Sequence, residues 1–200
     1  MTSLDSLGAE AMVADGPWER FTRVIDVGGS MGHFTHRILS AHPSIHAVVV
    51  DRPEVISIAS EKWETGEFSS ASDRVELKSG DFSKPSDVPA AAEGDAYLLR
   101  YVLHDWPGDK ALEILKSIRS AMGTTTNTTL LIGECAIPDH DVVGVPPVMY
   151  QIDIQMMAFF GVAKERTPEQ WKQILAEAGF EIETIHATRS LLQWVEAKPV

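Results

Sequence analysis

The sequence predicts an α/β protein built on a doubly wound, mainly parallel seven-stranded sheet with helices on both faces. Two observations predict it. Short apolar runs alternate along the chain with segments of helical periodicity, the pattern left by strand–helix–strand crossovers. The first apolar run also breaks directly into a glycine-rich turn, as the first strand of such a sheet does where it hands over to a helix.

The elements follow in order. A strand at 24–28 precedes a helix over about 31–41, and HAVVVD predicts a second strand at 46–51. The helix at 53–63 is opened by Pro53, which suits a first helical turn because an N–H there has no helical partner. RVELKSGD predicts a strand at 74–81 and DAYLLRYVL a longer one at 95–103. Leu112, Leu115, Ile118 and Met122 recur at helical spacing along a helix at 109–121. TLLIGEC predicts a buried strand at 129–135, followed by helices at 147–160 and 167–178, the second stopped by Gly179. Strands at 180–187 and 190–197 close the chain, with too short a turn between them for a crossover, so one is expected to run antiparallel at the sheet edge. Residues 1–20 are expected to be a short lead-in and 21–200 a single domain.

Composition narrows the function classes. Hydrophobic residues at 44% and charged residues at 23% are ordinary globular values, and 200 residues can bury one core. A net charge of −12 has the wrong sign for gripping a polyphosphate, so nucleic-acid binding is not expected. No apolar run approaches the ~20 residues that cross a bilayer. The acidic N-terminus lacks the basic-then-apolar pattern of a signal peptide, and the single Cys135 cannot close an internal disulfide. A soluble, cytoplasmic protein with no membrane partner is the expectation.

In such sheets ligands bind beyond the carboxyl ends of the strands, near the switch in strand order, so the residues just past each strand are the candidate site. The first strand ends in Asp26-Val27-Gly28-Gly29-Ser30-Met31-Gly32. Glycines here let the chain turn sharply and bring a ligand against the backbone, although tight packing alone also selects them. The spacing is not G-x-G-x-x-G; it fits D-x-G-x-G-x-G with Ser30 in place of the middle glycine. Asp51 ends the second strand, where a carboxylate can accept from both ribose hydroxyls or cap the helix at Pro53. Together they predict a nucleoside-type ligand, leaving a nicotinamide dinucleotide and S-adenosylmethionine both open. Asp81-Phe82 follows the third strand; an acid beside a ring suits an adenine, and equally describes a surface turn with one core aromatic. Arg100 lies in an apolar strand and needs either a ligand carboxylate or a route to solvent along its stem.

His104 follows the fourth strand and Glu134 ends the fifth, while Glu165 stands just before a helix. Taken singly each reads as a loop or ion-pair residue. Jointly placed around the glycine loop, a histidine fixed by carboxylates suits a general base. Met149, Ile152, Met156 and Phe160 form an apolar stripe that is either core or an adaptable wall for a flat ligand, with Asp153 as a hydrogen-bonding group beside it. No defensible metal-ligand spacing appears among the histidines, so no metal is expected. G-x-S-x-G and P-loop motifs are missing from the sequence.

Read together, VIDVGGSMGHF, VVVDRPEVI, SGDF, LLRYVLHDWPGDKALEIL, LIGECAIPD, the DIQMM helix and AKERTPEQWKQILAEAGF resemble the C-terminal catalytic domain of class I S-adenosylmethionine-dependent O-methyltransferases. The similarity is to the plant caffeic-acid and fungal secondary-metabolite branch and runs from about residue 17 to the end. It implies that Gly28, Asp51, Asp81, Phe82 and Arg100 bind S-adenosylmethionine, Arg100 standing where the family usually has lysine. It further implies that His104 deprotonates the acceptor hydroxyl, that Glu134 and Glu165 flank it, and that Met156 clamps a small aromatic acceptor, without a metal. Two departures stand out. Ser30 replaces a family glycine, and the family's N-terminal dimerisation domain is expected to be absent. That second departure keeps a truncated, non-catalytic S-adenosylmethionine- or S-adenosylhomocysteine-binding domain acting through a partner chain as the alternative, and a homodimer or association with another chain is the expected assembly.

Overall fold

The computed structural model describes residues 2–137, 151, 154 and 165–200, with side chains from residue 8 onward. Among them are seven strands: β1 Arg23–Val27, β2 His46–Asp51, β3 Val75–Ser79, β4 Asp95–Arg100, β5 Thr129–Glu134, β6 Phe180–His186 and β7 Gln193–Pro199. Five α-helices accompany them: α1 Thr2–Ala14, α2 His33–Ala41, α3 Pro53–Glu64, α4 Gly108–Met122 and α5 Pro168–Ala178. Of the helix expected at 147–160, only Gln151 and Ile154 fall within the described residues, and both are helical.

The sheet runs β3-β2-β1-β4-β5-β7-β6. The first five in this order are parallel, and β7 is antiparallel to both β5 and β6. The order reverses between β1 and β4, which opens the crevice at their carboxyl ends. The two-residue period of each strand divides the core. Val24, Ala96 and Leu98 face a layer with α1, α2 and α3, whereas Ile25, Tyr97 and Leu99 face one with α4 and α5.

One expectation is corrected. The antiparallel strand is not the edge: β7 is inserted between β5 and β6, and β6 takes the edge. The burial explains this. Trp194, Val195, Glu196 and Ala197 of β7 are all buried, while Glu181, Glu183 and Thr184 of β6 are exposed. An edge strand is better protected from unwanted pairing when it carries polar and charged residues.

The lead-in carries α1. Ala9, Met12 and Val13, at helical spacing, are buried against the core. Two tryptophans fasten the end of this helix: Trp18 Nε1 donates to Val13 O at 2.8 Å and Trp194 Nε1 to Met12 O at 3.0 Å. Among the described residues, no helix is long and apolar enough to cross a membrane.

Candidate active site

A cleft of about 930 Å³ lies at the carboxyl ends of β1–β4, within the ~300–1,000 Å³ typical of small-molecule sites. Its walls are the strand-end residues: Gly28 after β1, Asp51 and Arg52 after β2, Asp81 and Phe82 after β3, and Tyr101, Val102, Asp105 and Trp106 after β4.

The glycine loop makes one wall from backbone. Gly28 and Gly32 have φ of +77° and +81°, the left-handed region where a side chain is strained. A Cβ on Gly28 would meet Val102 Cγ2 at 2.9 Å, so the close approach of β1 and β4 requires glycine here. Ser30 also takes a left-handed φ, +54°. Its N–H donates to Asp51 Oδ2 at 2.8 Å, which ties the loop to the end of β2. Asp51 Oδ1 accepts from Arg52 N at 2.8 Å. The N-cap of α3 is Arg52, with no side-chain bond, so Asp51 serves the loop and the cleft rather than a helix cap. Each Asp51 oxygen keeps acceptor capacity for a further donor.

Asp81 and Phe82 both line the cleft, and Phe82 packs on the second core layer. The Asp81 carboxylate accepts from Ser83 Oγ at 2.7 Å and Ser83 N at 3.0 Å, with Lys84 Nζ 3.3 Å away. The Ser83 hydroxyl, then its N–H and Lys84, hold the carboxyl below the usual range. Arg100 does not line this cleft: its guanidinium carbon lies 4.3 Å from the centre of the Phe34 ring and 4.8 Å from that of Tyr101.

His104, Glu134 and Glu165 come together. The short 3₁₀ turn Leu103–Asp105 follows β4, and all three side chains are buried. His104 Nδ1 lies 3.2 Å from Glu165 Oε1 and 3.3 Å from Glu134 Oε2, so one N–H faces two carboxylates. Glu134 Oε1 accepts from the N–H groups of Val102 and Leu103, both at 3.0 Å, and so holds the turn against the end of β5. His104 Nε2 is left on the side of Asp105, 3.6 Å from its Oδ1, and Asp105 lines the cleft.

Burial works against the imidazolium, but the hydrogen bond to Glu165 and the charges of Glu134, Glu165 and Asp105 outweigh it and raise the His104 pKa to about 9. Burial lifts Glu134 to about 7, against the opposing pull of His104. The cluster therefore holds its protons more tightly than the same groups in water.

Three contributors were not singled out from sequence. Tyr101, at φ +55°, turns the chain out of β4, and its ring centre lies 5.5 Å from that of His104. Trp106 joins the cleft wall. Arg166 is buried, and Nη1 donates to Leu103 O at 2.8 Å. The HDW and KERT segments carried the signal, but only the fold shows that they touch. Asp153 and Met156 lie outside the described residues.

Sheet order and cleft define the class: a doubly wound α/β domain whose strand-end cleft adjoins a buried histidine–carboxylate group. The chain belongs to the O-methyltransferase domain family, which it matches over residues 1–181. Among its relatives, phenazine O-methyltransferase PhzM of Lysobacter antibioticus is 34% identical over 96% of this chain and 52% of that protein. The 8-amino-8-demethylriboflavin N,N-dimethyltransferase of Streptomyces davaonensis is 35% identical over 90% of this chain and 48% of its own. The crystal structure of the O-methyltransferase NcsB1 from neocarzinostatin biosynthesis, in complex with S-adenosylmethionine and 2-hydroxy-5-methyl naphthoic acid, superposes with a TM-score of 0.81 at 27% identity, covering 98% of this chain and 54% of that one. The chain spans about half the length of these relatives.

Proposed function

We propose that this chain transfers a methyl group from S-adenosylmethionine to a hydroxyl of a small aromatic metabolite, with 21–200 as the catalytic domain and His104 as general base. The observation that carries this reading is the placement of His104, with Nδ1 held by Glu134 and Glu165 and Nε2 on the side of the cleft residue Asp105.

The cleft suits the cofactor. The Gly28 turn leaves no room for a Cβ, and Asp51 retains acceptor capacity for ribose hydroxyls. Phe82 offers a face for a flat base and Asp81 an acceptor for its amine, whereas Arg100, outside the cleft wall, is not among the proposed contacts. When bound, S-adenosylmethionine supplies an electrophilic methyl and departs as neutral S-adenosylhomocysteine. His104 takes the acceptor's proton at Nε2 as the C–O bond forms and the C–S bond breaks. Glu134 and Glu165 stabilise the imidazolium and fix the tautomer with Nε2 free. The two carboxylates hold His104 above its ordinary value, which makes its free imidazole a stronger acceptor for a phenolic proton. The buried cation of Arg166 already faces these carboxylates, and the reaction is proposed to need no metal. Met156 and Asp153 are the proposed acceptor contacts.

The test pairs binding with turnover. Calorimetry is expected to show one-site binding of S-adenosylmethionine. His104→Ala is expected to lower turnover of a phenolic acceptor by about 10²–10⁴-fold while leaving that binding intact. An amine acceptor already has its lone pair available and would lose less. Normal phenol turnover in the variant would remove His104 as base; no cofactor binding by the folded chain would remove the reading itself.

A further inference from the structure

Arg166 is the most deeply committed cation near the acid–base centre. It is 2% exposed, a depth at which arginine is found only with its donors engaged. Its two Nη groups donate to Leu103 O at 2.8 Å and Trp106 O at 3.1 Å, closing a fork across the turn that carries His104 and Asp105. Its backbone bridges to Ala136, and its carbonyl accepts from Ile137 N at 3.1 Å, on the segment that leaves β5 just after Glu134. Glu165 precedes it in the chain. Its guanidinium carbon sits 5.1 Å from the centre of the Trp171 ring on α5, which backs it from the remaining side. One residue thus touches all three stretches that supply His104, Glu134 and Glu165.

We propose that Arg166 is a positioning residue of this centre, whose fork fixes the His104 turn against Glu134 and Glu165 and whose buried charge makes the cluster release its proton more readily. The inference rests on the reading of His104 as base. The charged groups facing one another here are Glu134 from β5, Glu165 beside Arg166, and His104 and Asp105 from the turn. Burial pulls the guanidinium below its usual value, and the charges of Glu134 and Glu165 push it back up. A fixed cation disfavours every protonated form near it. Its loss therefore raises the pH at which His104 becomes free to accept a proton.

The two roles separate in two variants. Arg166→Lys keeps the charge and loses the fork: kcat is expected to fall by up to about 10²-fold, as a misplaced group costs, with KM for S-adenosylmethionine and the pH profile unchanged. Arg166→Gln loses both, and the acid limb of the kcat profile is expected to move up by about one pH unit. An NMR titration of the His104 imidazole reads the same shift without turnover. If methyl transfer fails in the wild type but the His104 midpoint still moves in Arg166→Gln, the functional reading falls and the positioning role stands. If Arg166→Gln melts at a lower temperature while the His104 midpoint and the pH profile stay in place, Arg166 is structural and the proposal is overturned.

Discussion

Where β1 and β2 end, short turns do the work: two left-handed glycines, a left-handed serine and a carboxylate that fastens N–H groups. Where β4 and β5 end, buried charge lies behind the cleft residues Val102 and Asp105, with one imidazole against two carboxylates and a guanidinium packed on the same turn. The first region is assembled from short loops and part of it is open to solvent. The second needs residues up to 63 positions apart in the chain and admits almost no water. A binding wall can be made by turns whose conformation is set locally. A proton-transfer centre needs a low-dielectric pocket, in which each charge has a strong effect on its neighbours.

Substitutions on the two sides are expected to fail differently. The largest loss of stability is expected from Glu134→Ala, which strips the acceptor from Val102 N and Leu103 N inside the core. Two buried N–H groups left unpaired cost roughly 2–6 kcal/mol, measurable by thermal or urea unfolding. Glu134→Gln retains an oxygen for those bonds, so most of the stability is expected to return while activity stays low.

Gly28→Ala acts on the other side. Its left-handed φ and the 2.9 Å approach of Val102 are expected to cost about 1–2 kcal/mol of stability, read in a urea melt, and the displaced turn is expected to weaken S-adenosylmethionine binding by calorimetry. At saturating cofactor its kcat is expected to stay near wild type, the reverse of His104→Ala.

The pH response belongs to the charged side. Glu134 moves from 4.5 to about 7 and His104 from 6.5 to about 9 on folding, so the native chain binds protons more tightly at both. The His104 contribution is complete below 6.5 and is lost as the pH rises through about 9; the Glu134 contribution is lost between 4.5 and about 7. The melting temperature is expected to drift down across that window from this cluster, while kcat/KM rises towards pH 9 as the free base appears. His104→Ala should abolish the rise in kcat/KM and flatten the fall in melting temperature between pH 6.5 and about 9, while the Glu134 part at lower pH persists.

Ser30→Gly is the smallest expected effect. Relief of a left-handed serine, about 1 kcal/mol, is partly offset by the greater entropy of glycine in the unfolded chain. A rise in stability of under about 1 kcal/mol in a urea melt, with cofactor affinity unchanged, is the expected result.

The strands and helices were legible because their periodicities are properties of the local sequence. The runs through Ile25, Val49 and Leu98 read as buried strands, and Thr167 and Gly179 bracket α5 as its capping residue and its stop. The helix α1 was not read from the sequence, which gave 1–20 only as a lead-in, although Ala9, Met12 and Val13 stand at helical spacing. The sequence by itself determined the alternation of elements, the glycine turn and the residue types at the strand ends. Strand order was another matter, because a polar strand such as β6 declares itself an edge only once the buried β7 is paired beside it. The tertiary structure alone decided that one imidazole N–H would face two carboxylates and that Arg166 would reach back to Leu103 O. Those contacts join distant parts of the chain, and their strength comes from burial, which no single segment possesses until the sheet and its helices close around it.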